Sequence, residues 1–179
     1  MVLEAIQIRN GISLSVHQRS SYVTLDAYSK GCFQIAPGIV VYNHLLNEYI
    51  SVFPPLHLHQ LHIYDLELLA HVLVAQVWGP QFVSQHVQIF TDNIACFCLV
   101  SKGRSAFNNW LRMARLYATL QIHHDYRAEP AWLSTKDNWL ADAYSRPADP
   151  KCQQIIQNFM NEHGARTTQR HISPEIFSF

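Results

Sequence analysis

The chain has 179 residues, room for one domain and an appendage, and 49% of them are hydrophobic, enough for a substantial core. Charged residues make up only 15%, with 13 Lys plus Arg against 13 Asp plus Glu. That balance excludes a disordered or supercharged chain and weighs against a uniformly basic nucleic-acid-binding surface, leaving such binding to a local patch or a metal site.

Nothing resembles a signal peptide and no apolar run reaches the length of a membrane span. An intracellular protein, cytoplasmic or nuclear, is therefore expected, with Cys32, Cys96, Cys98 and Cys152 as reduced thiols. Cys96 and Cys98 form a C-x-C, a poor zinc signature.

Residues 1–21 are a lead-in without a sharp pattern. Tyr22 to Ala27 alternates as a strand does, Lys30-Gly31 signals a turn, and Cys32 to Ala36 is the expected return strand. After Pro37-Gly38, Ile39–Tyr42 and Tyr49–Phe53 are further strand material, so a three-stranded meander is predicted. Pro54-Pro55 breaks the chain. Ile63, Leu66, Ala70, Leu73 and Val77 then form one apolar stripe of a helix over 63–78, closed by Gly79-Pro80. His86–Asp92 is a strand, Ile94–Val100 a short helix stopped near Gly103, and Asn108–Leu120 a longer helix. Ile122–Tyr126 is predicted as a strand ending in His123-His124. A loop through Pro130 leads to a helix over 138–145. This order, β-β-β-α-β-α-α-β-α, points to an α/β domain with a mixed five-stranded sheet flanked by helices. Pro147 and Pro150 set the boundary between a domain over 22–146 and a C-terminal helix and tail over 147–179. In that last part Ile155, Ile156, Phe159 and Met160 make an amphipathic helix, and Ile172, Ile176, Phe177 and Phe179 need a surface to cover them.

Four carboxylates are embedded in apolar sequence: Asp26 in the first strand, Glu67 in the first long helix, Asp92 at the end of the fourth strand and Asp142 in the helix before the proline boundary. A buried charge without a partner is very costly. A pair of divalent cations resolves that cost, and magnesium or manganese prefers carboxylate oxygens, water and phosphate. Two such ions, ~4 Å apart, activate a water against a phosphodiester and stabilise the leaving oxygen.

The same stretches resemble the ribonuclease H domain of long-terminal-repeat and DIRS-type retroelement reverse transcriptase polyproteins. The residues that carry the resemblance are Leu25-Asp26-Ala27-Tyr28-Ser29, Glu67-Leu68-Leu69-Ala70 with Trp78-Gly79, Phe90-Thr91-Asp92-Asn93, and Asn138 to Arg146 with its Asn-x-x-Ala-Asp-x-x-Ser-Arg pattern. Tyr28 extends the first turn and Tyr144 replaces a usual leucine. Ile172 to Phe177 is similar, more weakly, to the segment that follows this domain in DIRS-type elements. The resemblance implies a ribonuclease H-like fold and cleavage of the RNA strand of RNA–DNA hybrids by two Mg2+ ions, with Mn2+ as a substitute. It further implies Asp26, Glu67, Asp92 and Asp142 as catalytic metal ligands, and a reverse transcriptase domain of the parent polyprotein as partner. The polymerase's own Tyr/Phe-x-Asp-Asp does not occur.

For the substrate, Asn93 is expected beside the RNA strand, and Lys102, Arg104, Arg112 and Arg115 are expected to touch phosphates. An ordinary solvated helix face explains the four cations equally well. His57, His59 and His62 lack acidic or thiol partners and are assigned to a loop, not to a metal site. Asp137 is expected as a helix N-cap, Asp65 as pointing away from Glu67, and Trp78, Trp110, Trp132 and Trp139 as packing residues. Two rivals to the hydrolase remain at this level: a catalytically silent structural or interaction module on the same fold, and another nuclease or integrase built on it.

Overall fold

The computed structural model describes residues 21–28, 38–103, 108–163 and 167–178. Its centre is a sheet in the order β5-β4-β1-β2-β3-β6, formed by β1 (Ser21–Tyr28), β2 (Gly38–Asn43), β3 (Glu48–Val52), β4 (His86–Thr91), β5 (Arg127–Trp132) and β6 (Thr168–Gln169). β1, β2 and β3 pair antiparallel, while β4 runs parallel to both β1 and β5, so the sheet is mixed. The expected return strand over Cys32–Ala36 lies outside the described residues, as does the lead-in before Ser21.

Alternation along β2 shows how the sheet is covered on both sides. Ile39 and Val41 join the main core with Val23, Ala27 and Ile50, whereas Val40 and Tyr42 pack with Leu140, Tyr144 and Phe159 on the opposite face. Covered on both faces, all six residues of β2 are buried, and Ile39 to Tyr42 form the continuous apolar run such a strand needs.

Helix α1 (Ile63–Trp78) begins and ends where the sequence predicts. It is buried from Leu66 to Ala75 without interruption, wider than one stripe, because it lies on the sheet and is covered in turn by α3 (Asn108–His123) and α2 (Ile94–Lys102). His62 caps it in a capping box with Asp65, and His59 bonds the Pro54 carbonyl, so these loop histidines have structural partners. Helix α2 stops at Gly103, whose φ of 59° is the left-handed cap conformation.

The strand expected over Ile122–Tyr126 is a correction. Met113, Leu116 and Leu120 continue the stripe that packs on the core, so α3 runs on through His123. Ile122, 82% exposed, is on its outer side. Asp125, at φ 51°, turns the chain, and the strand is instead Arg127–Trp132. Pro130 inside it is tolerated because β5 is the edge strand of the sheet, with one side free of ladder bonds among the described residues.

Helices α4 (Trp139–Ser145) and α5 (Pro150–His163) pack against each other, and α4 covers β1 and β2. Asn138, not Asp137, is the N-cap of α4; Asp137 accepts a bond from the Ser134 hydroxyl. The segment after α5 adds β6 alongside β3, a sixth strand where five were expected. An ion pair between Arg170 and Glu48 pins it, and Phe177 is buried in the main core.

Candidate active site

The strand register places the first two acids. Thr24 is level with Phe90 in the parallel β1–β4 pair, and Asp26 and Asp92 each follow two residues further on. Both sit at the carboxyl ends of adjacent parallel strands, where open α/β sheets form crevices. Glu67 arrives from α1. Its Oε1 accepts from the Ala27 backbone N–H at 3.0 Å and its Oε2 accepts from the Thr91 hydroxyl at 3.2 Å. Oxygens of Asp26, Glu67 and Asp92 thereby come within 4.8 Å of one another.

Asp26 and Glu67 are 7% and 2% exposed. Burial and the neighbouring Asp92 charge push the Asp26 carboxyl up from 3.8 to about 6, against the opposing effects of a Ser145 hydrogen bond and of Arg146. Burial, reinforced by Asp26 and Asp92, holds Glu67 well above the ordinary carboxylate range. The cluster therefore favours a bound proton or cation over free carboxylate charge.

Asp142, from α4, lines the same groove of about 600 Å3 but stands outside the three-acid cluster. Its carboxylate is paired with the Arg146 guanidinium, one helical turn on. Ile63, Tyr64, Asn93, Ile94, Ala95 and Thr135 complete much of the rim.

Three solved structures share this architecture. A ribonuclease H1 from the halophilic archaeon Halobacterium salinarum aligns with a TM-score of 0.56 at 10% identity, over 72% of this chain and 96% of that one. The N-terminal ribonuclease H domain of a Mycobacterium tuberculosis protein, solved as a fusion with maltose-binding protein, aligns at 0.53 and 12% identity over 76% and 99%. A ribonuclease H1 isolated from compost by a metagenomic approach aligns at 0.51 and 13% identity over 76% and 99%. This chain has a ribonuclease H-like fold. No protein-family model and no curated protein sequence matches it.

Within this ribonuclease H-like domain the other expected contacts are dispersed. Asn93 is at the groove, but its Oδ1 is engaged in capping α2, accepting from the Ala95 and Cys96 N–H groups. Lys102, Arg112 and Arg115 are exposed on α2 and α3 and none lines the acidic groove; Arg104 lies outside the described residues. Of the four tryptophans, Trp78 is fully buried. Trp132 and Trp139 are 46% and 37% exposed, so neither is a core residue, although Trp139 packs edge-on against Phe159. The Trp132 indole donates to the Asp92 carbonyl at 3.0 Å and so braces the turn that carries this acid.

Sequence reasoning assigned no role to Thr91, Ser145 or Arg146, although all three stand inside the quoted motifs. Thr91 links Glu67 to the Asn93 backbone, bonding both. Ser145 bonds the Asp142 carbonyl at 2.8 Å and supports Asp26. The available signal was their position, directly before Asp92 and directly after the Asp142 helix turn. Asp65 points away as expected, to His62 and Trp110. No helix among the described residues is long and apolar enough to cross a membrane.

Proposed function

We propose that this domain is a divalent-metal-dependent endoribonuclease that hydrolyses the RNA strand of RNA–DNA hybrids, and that it derives from a retroelement polyprotein in which it accompanies a reverse transcriptase domain. One observation carries the hydrolase reading: three carboxylates from separate elements converge at the carboxyl ends of β1 and β4, in a ribonuclease H-like fold.

The donor set fits Mg2+ or Mn2+. The cluster offers carboxylate oxygens, with no thiol or imidazole among its members. Oxygens on one Mg2+ are at most ~4.2 Å apart, since each bond is ~2.1 Å, so closing a 4.8 Å cluster needs only a small movement. Asp26, Glu67 and Asp92 would hold the first ion, and Asp142 would complete the second position. When bound, the ions supply an acidified water and charge neutralisation at the phosphate.

The chain's own residues do the rest. Ala27 N–H and the Thr91 hydroxyl orient Glu67, and Trp132 fixes the Asp92 backbone. The groove admits the scissile phosphate, while Asn93 and the exposed Lys102, Arg112 and Arg115, with Arg104, offer contacts for the strands. Water forms a bond to phosphorus as the bond to the ribose oxygen breaks, and the proton given up by the water ends on that leaving oxygen.

The retroelement origin rests on the ordered motifs around Asp26, Glu67, Asp92 and Asp142. The test of activity compares cleavage of an RNA–DNA hybrid, duplex DNA and duplex RNA with Mg2+ or with a chelator. Metal-dependent loss of the RNA strand of the hybrid is expected. Cleavage of duplex DNA in preference to the hybrid would transfer the site to another nuclease class.

A further inference from the structure

Asp142 shares a groove with the three clustered acids but not their cluster, and its carboxylate has a cationic partner of its own. Arg146 is the only cationic side chain lining that groove among the described residues, and it pairs with the Asp142 carboxylate. We propose that Arg146 competes with a second divalent ion for Asp142, so that the metal-loaded resting site holds one ion, on Asp26, Glu67 and Asp92, and takes a second only when the guanidinium is displaced. This rests on the metal-dependent reading above.

Several features favour Arg146 as the mobile partner. Asp142 is fixed inside α4, where its N–H donates to the Asn138 carbonyl at 3.0 Å. Arg146 follows the last helical residue and has left helical geometry, with φ −124° and ψ 57°. Its side chain is 42% exposed against 24% for Asp142, so it can swing into solvent without opening the core. Its charge also reaches Asp26, opposing the effect of burial there, so one guanidinium serves two of the four acids while metal is absent. A displaced guanidinium has a ready alternative partner, because its planar fork matches phosphate oxygens two at a time.

The test is a Mn2+ titration of the full chain without nucleic acid, followed by calorimetry and by the paramagnetic resonance signal of free Mn2+. The wild-type protein should bind one ion tightly and a second weakly. Arg146→Gln should tighten the second by about tenfold, the scale of losing one charge-assisted hydrogen-bonded competitor. Arg146→Lys, which keeps the charge, should stay much nearer the wild type. Arg146 is a half-exposed residue beyond the helix end, so circular dichroism of Arg146→Gln should be unchanged. Two equally tight ions in the wild type, or identical titrations of wild type and Arg146→Gln, would overturn the competition and leave the metal-dependent reading standing. No ion bound by the wild type would overturn both.

Discussion

Replacing Asp26 with Asn should stabilise the metal-free protein at neutral and alkaline pH, although it removes a metal ligand. Asp26 is almost fully buried beside Glu67 and Asp92, and its carboxyl titrates near 6 in place of 3.8. A carboxyl whose pKa is raised by folding binds protons more strongly in the folded state. Its contribution to stability is therefore fully present below about 3.8 and is lost as pH rises through about 6. The gap between 3.8 and about 6 corresponds to roughly 3 kcal/mol, at ~1.4 kcal/mol per pH unit. Asn cannot ionise and keeps the shape, so at pH 8 in a chelator it should recover up to about 3 kcal/mol, less whatever its amide loses in hydrogen bonding. Urea unfolding at pH 8 and pH 4.5 measures this directly. Asp26→Asn should be the more stable protein at pH 8, and the advantage should shrink towards pH 4.5. Saturating Mg2+ should cancel most of that advantage at pH 8, since an ion at ~100 times its Kd adds about 2.7 kcal/mol to the protein that binds it. An Asp26→Asn variant that is less stable than the wild type at pH 8 without metal would refute the claim that burial and the neighbouring Asp92 disfavour the Asp26 charge in the metal-free protein.

Other outcomes follow from single contacts. Thr91→Val removes the bond to Glu67 and the acceptor of the Asn93 N–H, so it should cost about 1–2 kcal/mol and weaken Mn2+ binding measured by calorimetry. Asn93→Ala strips the cap from α2 and should cost about 1 kcal/mol in urea unfolding, whatever contact Asn93 makes with substrate. Phe177→Ala opens a void in the main core and should cost about 3–5 kcal/mol by the same method, showing that the tail is part of the folded unit.

Much of this fold is legible in the sequence because its elements are punctuated. Pro54-Pro55 and Gly79-Pro80 frame α1, Gly103 ends α2, and the strand–helix order alone indicates an α/β sheet. The failures have physical reasons. Ile122 is apolar yet exposed, so it imitated strand material, while Pro130 disguised a true strand whose edge position is a tertiary property. β6 is two polar residues, Thr168 and Gln169, with no local signal at all; it pairs because Phe177 and Arg170 anchor the segment around it. The candidate site was legible as four acids in motifs. Their unequal geometry was not, because Asp142 has several possible partners and only the end of α4 decides that Arg146 is the one it meets.

The central claim is that Asp26, Glu67 and Asp92 hold divalent metal beside a phosphodiester. Its most direct test is cleavage of an end-labelled RNA–DNA hybrid by the full chain and by Asp92→Asn, each with Mg2+ and with chelator. The wild type with Mg2+ should cut the RNA strand alone, and both the chelator and the substitution should abolish cutting while the circular dichroism spectrum persists. Undiminished cutting by Asp92→Asn, or cutting that ignores the chelator, would contradict it.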